Sequence, residues 1–328
     1  MNKVALVIPT HNGTEKLDRI SKWIETQLPW RGPLIVIASG SNEVSSLKKI
    51  CEDKDIEFIF QEFLICGHAK RNFGAQIAQG LGVEYITFLN DYQRLEKKAL
   101  YGFTVENHNE DIVYGNVGFD ISSGVTRPRI SELNVPLTRT SSNREIWGIF
   151  SSVSEAGILV KTEIFARLKG WQYPVSKNKT FIGGDGLLLT VRVFSQGGTF
   201  GYSSMYIVSG GHKNSEASPE MKKSKEATYP YSFTLASKYK GVPRWISLRF
   251  IIGRIGFVLE SILKLKFKEA FAPTSEISSR LRAYFSLKPS KHSKLLDDFF
   301  DNNCKSSENY CIKNGATKCN FYEVTPKL

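Results

Sequence analysis

Val4-Ala5-Leu6-Val7-Ile8-Pro9-Thr10-His11-Asn12-Gly13 opens the chain with five apolar residues that stop at a proline and a cluster of polar, turn-forming side chains. A continuous apolar run of this kind, bounded by turn residues, reads as a strand buried on both faces. The same design recurs at Tyr85-Ile86-Thr87-Phe88-Leu89-Asn90-Asp91. Around these two runs, apolar segments alternate with helical patterns, which is the signature of βαβ units. Strands are expected near residues 3–8, 33–38, 56–60, 84–89 and 111–118, and helices near 14–27, 43–53, 68–80 and 185–196. Ser41-Asn42 supplies N-cap chemistry ahead of the second helix, and Gly80 or Gly82 ends the third. In an open α/β sheet, ligands sit beyond the carboxyl ends of the strands. Thr10, Asn12 and Asp91 are therefore expected to face one crevice.

Further segments follow in order: Arg71-Asn72-Phe73-Gly74, Asp111-Ile112-Val113-Tyr114-Gly115-Asn116-Val117, Gly157 to Phe165, Leu168-Lys169-Gly170-Trp171, and Gly183-Gly184-Asp185-Gly186-Leu187-Leu188 with Arg192. Together with the opening motif they resemble the family 2 glycosyltransferases of the GT-A fold, over roughly residues 1–240. The C-terminal region resembles that of bacterial rhamnosyltransferase-like members. The resemblance implies an α/β architecture: a Rossmann-like, mostly parallel twisted sheet flanked by helices, with a C-terminal amphipathic helical extension. It divides the chain into a nucleotide-sugar half at 1–118, an acceptor half at 119–240, a basic amphipathic region at 241–300 and a polar tail at 301–328. The implied activity is inverting transfer of a sugar from a nucleoside-diphosphate donor to a glycan acceptor, in the manner of lipid-linked surface polysaccharide synthesis. Three positions depart from the family pattern. Ala38-Ser39 replaces an acidic pair, Tyr92 stands where the last acid of the metal motif belongs, and Gly184 replaces the Glu of Glu-Asp.

Each implied site residue has a chemical reason. Pro9, Thr10 and Asn12 end the first strand, where backbone groups reach a nucleobase edge. Ser39 stands at the family's carboxylate position, and a hydroxyl still hydrogen-bonds there. Asn90 and Asp91 end the fourth strand. Asp91 is the candidate ligand for a divalent cation, Mg²⁺ or Mn²⁺, which is held by one or two carboxylates plus phosphate oxygens. The alternative is a metal-independent site in which Lys70, Arg71, His212 or Lys213 neutralises the leaving diphosphate. Asp185 heads a helix after two glycines and is the candidate general base for the acceptor hydroxyl; the same position suits a simple helix cap. Trp171 and Tyr173, with Gly184, are candidate acceptor contacts, the two rings stacking on sugar faces or packing in the core.

Composition bounds the alternatives. Apolar content of 41% and charged content of 23% are those of a globular protein, which excludes a disordered chain. The length of 328 residues fits one large α/β domain plus an appendage. Net charge is +12, and the excess is local: residues 244–291 hold ten Lys/Arg against three Asp/Glu, a net +7. No nucleic-acid motif accompanies it, so no nucleic-acid partner is expected. The five cysteines, Cys51, Cys66, Cys304, Cys311 and Cys319, lack metal-ligand spacing and read as reduced thiols. The opening strand is too short for the apolar core of a signal peptide. From Trp245 to Phe267 an apolar stretch is broken by Arg249, Arg254, Glu260 and Lys264. That spacing predicts an interfacial amphipathic helix and a cytoplasmic protein held peripherally at an anionic membrane surface, or a helix packed on the protein's own surface. Other readings are a degenerate GT-A domain that binds nucleotide or glycan without turnover, motivated by the missing acids, and a nucleotidyltransferase, whose Gly-rich opening loop is absent here.

Overall fold

Strand β1 (Val4–His11) lies between β2 (Leu34–Ser39) and β4 (Tyr85–Phe88), parallel to both. The computed structural model describes residues 3–11, 14–39, 44–62, 67–117, 157–168, 170–171, 185–209 and 245–265, together with 277, 278, 281 and 285. Within them, β3 (Phe58–Glu62), β5 (Arg94–Leu95), β6 (Ile112–Val117), β7 (Ile158–Lys161) and β8 (Phe200–Ser209) complete a sheet in the order β3-β2-β1-β4-β7-β6-β8-β5. The β3-β2-β1-β4 half is parallel. β7 runs antiparallel to both β4 and β6, while β6 and β8 are parallel to each other. The sheet is thus mixed and mostly parallel, as the opening runs lead one to expect.

Both faces of the parallel half are covered, which is why β1 carries no alternation of polar and apolar residues. On one face Leu6, Ile8, Leu34 and Val36 pack with Leu17, Ile20 and Ile24 of α1 (Thr14–Ile24) and with Leu47 and Cys51 of α2 (Ser45–Asp53). Burial pushes the Cys51 thiol up to about 12, with the neighbouring Glu52 charge adding to the effect, so it behaves as a small apolar side chain. The other four cysteines lie outside the described residues. On the opposite face α3 (Gly67–Gly80) comes close to β1. A Cβ on Gly74 would stand 2.4 Å from Cγ1 of Val7, so only a hydrogen fits at that crossing. Phe88, Phe165 and Trp171 form an aromatic cluster in which Trp171 meets both phenyl rings edge-on, with Phe165 supplied by α5 (Thr162–Arg167).

The expected strands and helices appear with small shifts. The third strand begins at Phe58 rather than residue 56. Sequence reading missed β5, β8 and α4 (Ala99–Glu106). The β8 segment alternates irregularly, with Gly201, Ser203 and Ser204 interrupting its apolar residues. Its pairing with β6 includes a register shift between Tyr114 and Asn116, and a bulge of that kind breaks the period-2 signal. α4 has a glycine at its centre, and Lys98 enters it at a positive φ without a side-chain cap, so neither propensity nor capping announces it.

The described residues fall into two compact units. One holds the eight-stranded sheet with α1 to α5. The other holds α6 (Asp185–Ser195), α7 (Trp245–Leu263) and the short pieces near residues 277–285. β7, α5 and β8 belong to the sheet unit, and α6 to the second. Residues 120–145 and 210–227 and the polar tail at 301–328 lie outside the described residues.

Candidate functional site

β2 and β3 step away from β1 in one direction, and β4 lies on its other side. The chain therefore reverses its strand order between β1 and β4, and a crevice opens beyond their carboxyl ends. Thr10, near the end of β1, donates its hydroxyl to Asp91 Oδ2 at 2.9 Å. Asp91 follows β4 after Leu89 and Asn90, so this bond closes the mouth of the switch point. Of the three residues expected to converge there, two do so; Asn12 lies outside the described residues.

The crossover helix α3 begins at the same carboxyl edge, which sets its early residues beside the strand ends. Lys70 is 2% exposed and donates Nζ to the backbone carbonyl of Thr10 at 2.5 Å. Arg71 is 7% exposed and donates Nη2 to Oδ1 of Asn90 at 2.5 Å. Asn90 is fixed further by its neighbours. Its backbone N–H donates to Oε1 of Gln93 at 3.0 Å, and its Nδ2 donates to the Tyr92 hydroxyl at 3.1 Å. The backbone N–H of Gln93 returns to the Asn90 carbonyl at 2.9 Å. Burying an ammonium and a guanidinium costs several kcal/mol each unless their donors are matched. Here each cation places a donor on one of the two loops, Lys70 on the carbonyl of Thr10 and Arg71 on the side chain of Asn90. The cations thus act on the crevice through the strand ends they hold.

Asn72, next along the helix, has a structural task. Its Oδ1 accepts from the Trp171 N–H at 2.8 Å, and its Nδ2 donates to the Trp171 carbonyl at 3.0 Å. Gly170 precedes Trp171 at φ +71, and a Cβ there would meet Asn72 Oδ1 at 2.4 Å. This clamp corrects the expectation for Trp171. Its indole is 2% exposed and meets the rings of Phe88 and Phe165 at 5.2 and 5.8 Å, so its faces pack in the core and are not offered to a sugar. Asn72 and Gln93 were not singled out from the sequence. The signal was present in Arg-Asn-x-Gly and in an Asn-Asp-x-Gln turn at a strand end.

The remaining expected residues divide as follows. Pro9 pairs with Ile37 and His11 with Ser39 in the β1–β2 ladder, which brings the Ser39 backbone to the same carboxyl edge. Asp185 is the first residue of α6, in the second unit. Tyr173, Gly184, His212 and Lys213 lie outside the described residues. Among the described residues no group of three or more His, Cys, Asp or Glu side chains is arranged to hold a metal ion.

No protein-family model matches the sequence, and no curated protein does. Solved structures do resemble the fold. S. aureus TarS 1–349 superposes with a TM-score of 0.53 at 11% identity, covering 87% of this chain and 90% of that one. The same fragment in complex with UDP-GlcNAc gives 0.51 at 11% identity, covering 87% and 91%. A longer TarS chain gives 0.50 at 13% identity; the match covers 72% of this chain and only 38% of that one. The likeness shows the fold: a curled, mostly parallel sheet flanked by helices, of the GT-A type that the sequence motifs lead one to expect.

Proposed function

We propose that the protein is an inverting glycosyltransferase that moves a sugar from a nucleoside-diphosphate donor to a glycan acceptor. The observation that carries the reading is the meeting of Thr10 and Asp91 at the β1–β4 switch point, above Lys70 and Arg71. A strand-order reversal is where α/β proteins take up nucleotides. Two cations beside that crevice favour an anionic ligand through their field. The GT-A fold and the complex of the TarS fragment with UDP-GlcNAc support trying a uridine donor first.

In this reading Pro9, Thr10, Asn12, Ser39, Asn90, Asp91 and His212 serve the donor side. Asp185, at a helix N-terminus after Gly183-Gly184, accepts the acceptor hydroxyl proton as the sugar carbon is attacked, and Tyr173 and Gly184 border the acceptor. The donor set fits Mg²⁺ or Mn²⁺ as an ion that arrives with the diphosphate. Such ions keep several waters and need only one or two protein carboxylates, and Asp91 is the acid at this strand end. When bound, the cation would neutralise charge on the leaving diphosphate. The acceptor is a lipid-linked glycan met at the cytosolic face of an anionic membrane, which is consistent with the basic segment at 244–291.

The test is a panel of UDP-, GDP- and dTDP-sugars incubated with the full chain and no acceptor. Slow hydrolysis of one donor supports the transferase. Saturable binding without hydrolysis of any donor, with or without acceptor lipid extract, would replace it with a nucleotide-binding module, the reading to which Tyr92 and Gly184 point.

A further inference from the structure

Helix α7 has a buried side and, beside it, an exposed apolar stripe. Ile251 and Ser261 are buried and Val258 is half-buried. Leu248, Ile252, Ile255, Leu259 and Ile262 are instead 42–59% exposed. Their spacing of four, three, four and three residues keeps them on one side of a helix, and every member is a branched aliphatic. Leu263 and Leu265, at the end of the helix, are more exposed still. Glu260 and Lys264 form an i,i+4 pair away from that stripe, at 2.5 Å. An apolar groove runs alongside, walled by Ile255, Val258 and Leu259 on the helix and by Ile277 and Leu281 opposite, which widens the patch. Soluble proteins rarely leave such a contiguous aliphatic surface open to water.

We infer that this stripe is a lipid-docking surface, on which α7 lies in the plane of an anionic membrane with Leu248, Ile252, Ile255, Leu259 and Ile262 entering the hydrocarbon boundary. The inference deepens the membrane-acceptor reading above and rests on it for its purpose. Charge selects the occupant. The surrounding segment at 244–291 carries a net +7, which draws an anionic surface and repels a second copy of itself. The stripe also spans only about two heptads, short of the three to four that sustain a coiled coil. Among the described residues no helix is long and apolar enough to span a membrane. An in-plane helix with a basic surround has the two attachment signals that reversible membrane binding requires.

The experiment is flotation of the full chain with phosphatidylcholine vesicles, with and without phosphatidylglycerol, for the native sequence and for I252Q/L259Q. Both positions are exposed and glutamine is a good helix former, so the fold is expected to persist; unchanged far-UV circular dichroism checks this. I255Q/I262Q, on the same stripe, serves as the second variant. The expected result is binding to the anionic vesicles, weakened at least about tenfold by either double substitution. Added salt should reduce binding without abolishing it. Equal flotation of native and variant chains overturns the inference, as does complete release by salt. Self-association in sedimentation that the variants abolish, without vesicle binding, assigns the stripe to a second copy and overturns it too. Donor hydrolysis in the absence of vesicles is read in parallel. Its loss with vesicle binding intact counts against the transferase reading alone, and the converse counts against the docking surface alone.

Discussion

The Thr10 hydroxyl donates to the Asp91 carboxylate across 81 positions of chain, at 2.9 Å, and so ties together the ends of the two strands between which the sheet reverses its order. Thr10→Val keeps the side-chain shape and removes the donor. A hydrogen bond to a charged group contributes about 1.5–3 kcal/mol, so donor affinity is expected to fall by about tenfold or more. Asp91→Ala should do the same, and the double variant should be no worse than the weaker single one. Calorimetric titration with the donor found in the panel measures all three. Additive losses would show that the two residues act separately.

Asp91 and Arg71 offer different ways of balancing a diphosphate, and they can be told apart. If a cation arrives with the donor, excess EDTA abolishes hydrolysis and Mg²⁺ or Mn²⁺ restores it. Arg71→Ala should then act mainly by loosening the Asn90 loop, raising KM with little change in kcat. Full activity in EDTA, with a large fall in kcat for Arg71→Ala, would assign charge neutralisation to the basic side chains.

Asp185→Asn should leave donor binding nearly intact and lower transfer by about 10²–10⁴. The amide keeps the size and capping capacity of the side chain and loses proton acceptance. A variant retaining half its activity would reduce Asp185 to a helix cap.

Gly74→Ala tests the packing that brings α3 to the sheet. Its Cβ would fall 2.4 Å from Val7 Cγ1, in a strand with no room to move. The expected cost is about 1–3 kcal/mol, read as a lower urea midpoint with an unchanged m value. Native stability in this variant would mean that α3 rides further from β1.

Glu106 anchors α4 to β8. Burial raises the cost of its charge, but hydrogen bonds from Ser203, His108 and Ser204 outweigh that and hold the carboxyl below its ordinary value of 4.5. A depressed folded value stabilises the protein fully above the unfolded value and is lost as pH falls through the folded one. The stability gap between the native chain and Glu106→Gln should therefore be constant at neutral pH and close only below about 4.5. Urea midpoints across that range measure it. A gap that closes on the alkaline side instead would contradict the sign.

The fold's parallel half was legible because each signal is local. An unbroken apolar run such as Val4–Ile8 needs both sheet faces covered, and the polar residues that stop it mark a carboxyl edge. Thr10 and Asp91 could be named for the same reason, since each ends such a run. What the tertiary structure alone decided depends on partners distant in sequence. β8 is a strand because β6 and β5 accept it in spite of a bulge. Trp171 is a core residue because Asn72, 99 positions earlier, grips its backbone. Ile251 is buried while Ile252 is exposed, although hydrophobicity is the same for both. Adjacent residues on a helix point about 100° apart, and only what packs against one side determines which of them meets water.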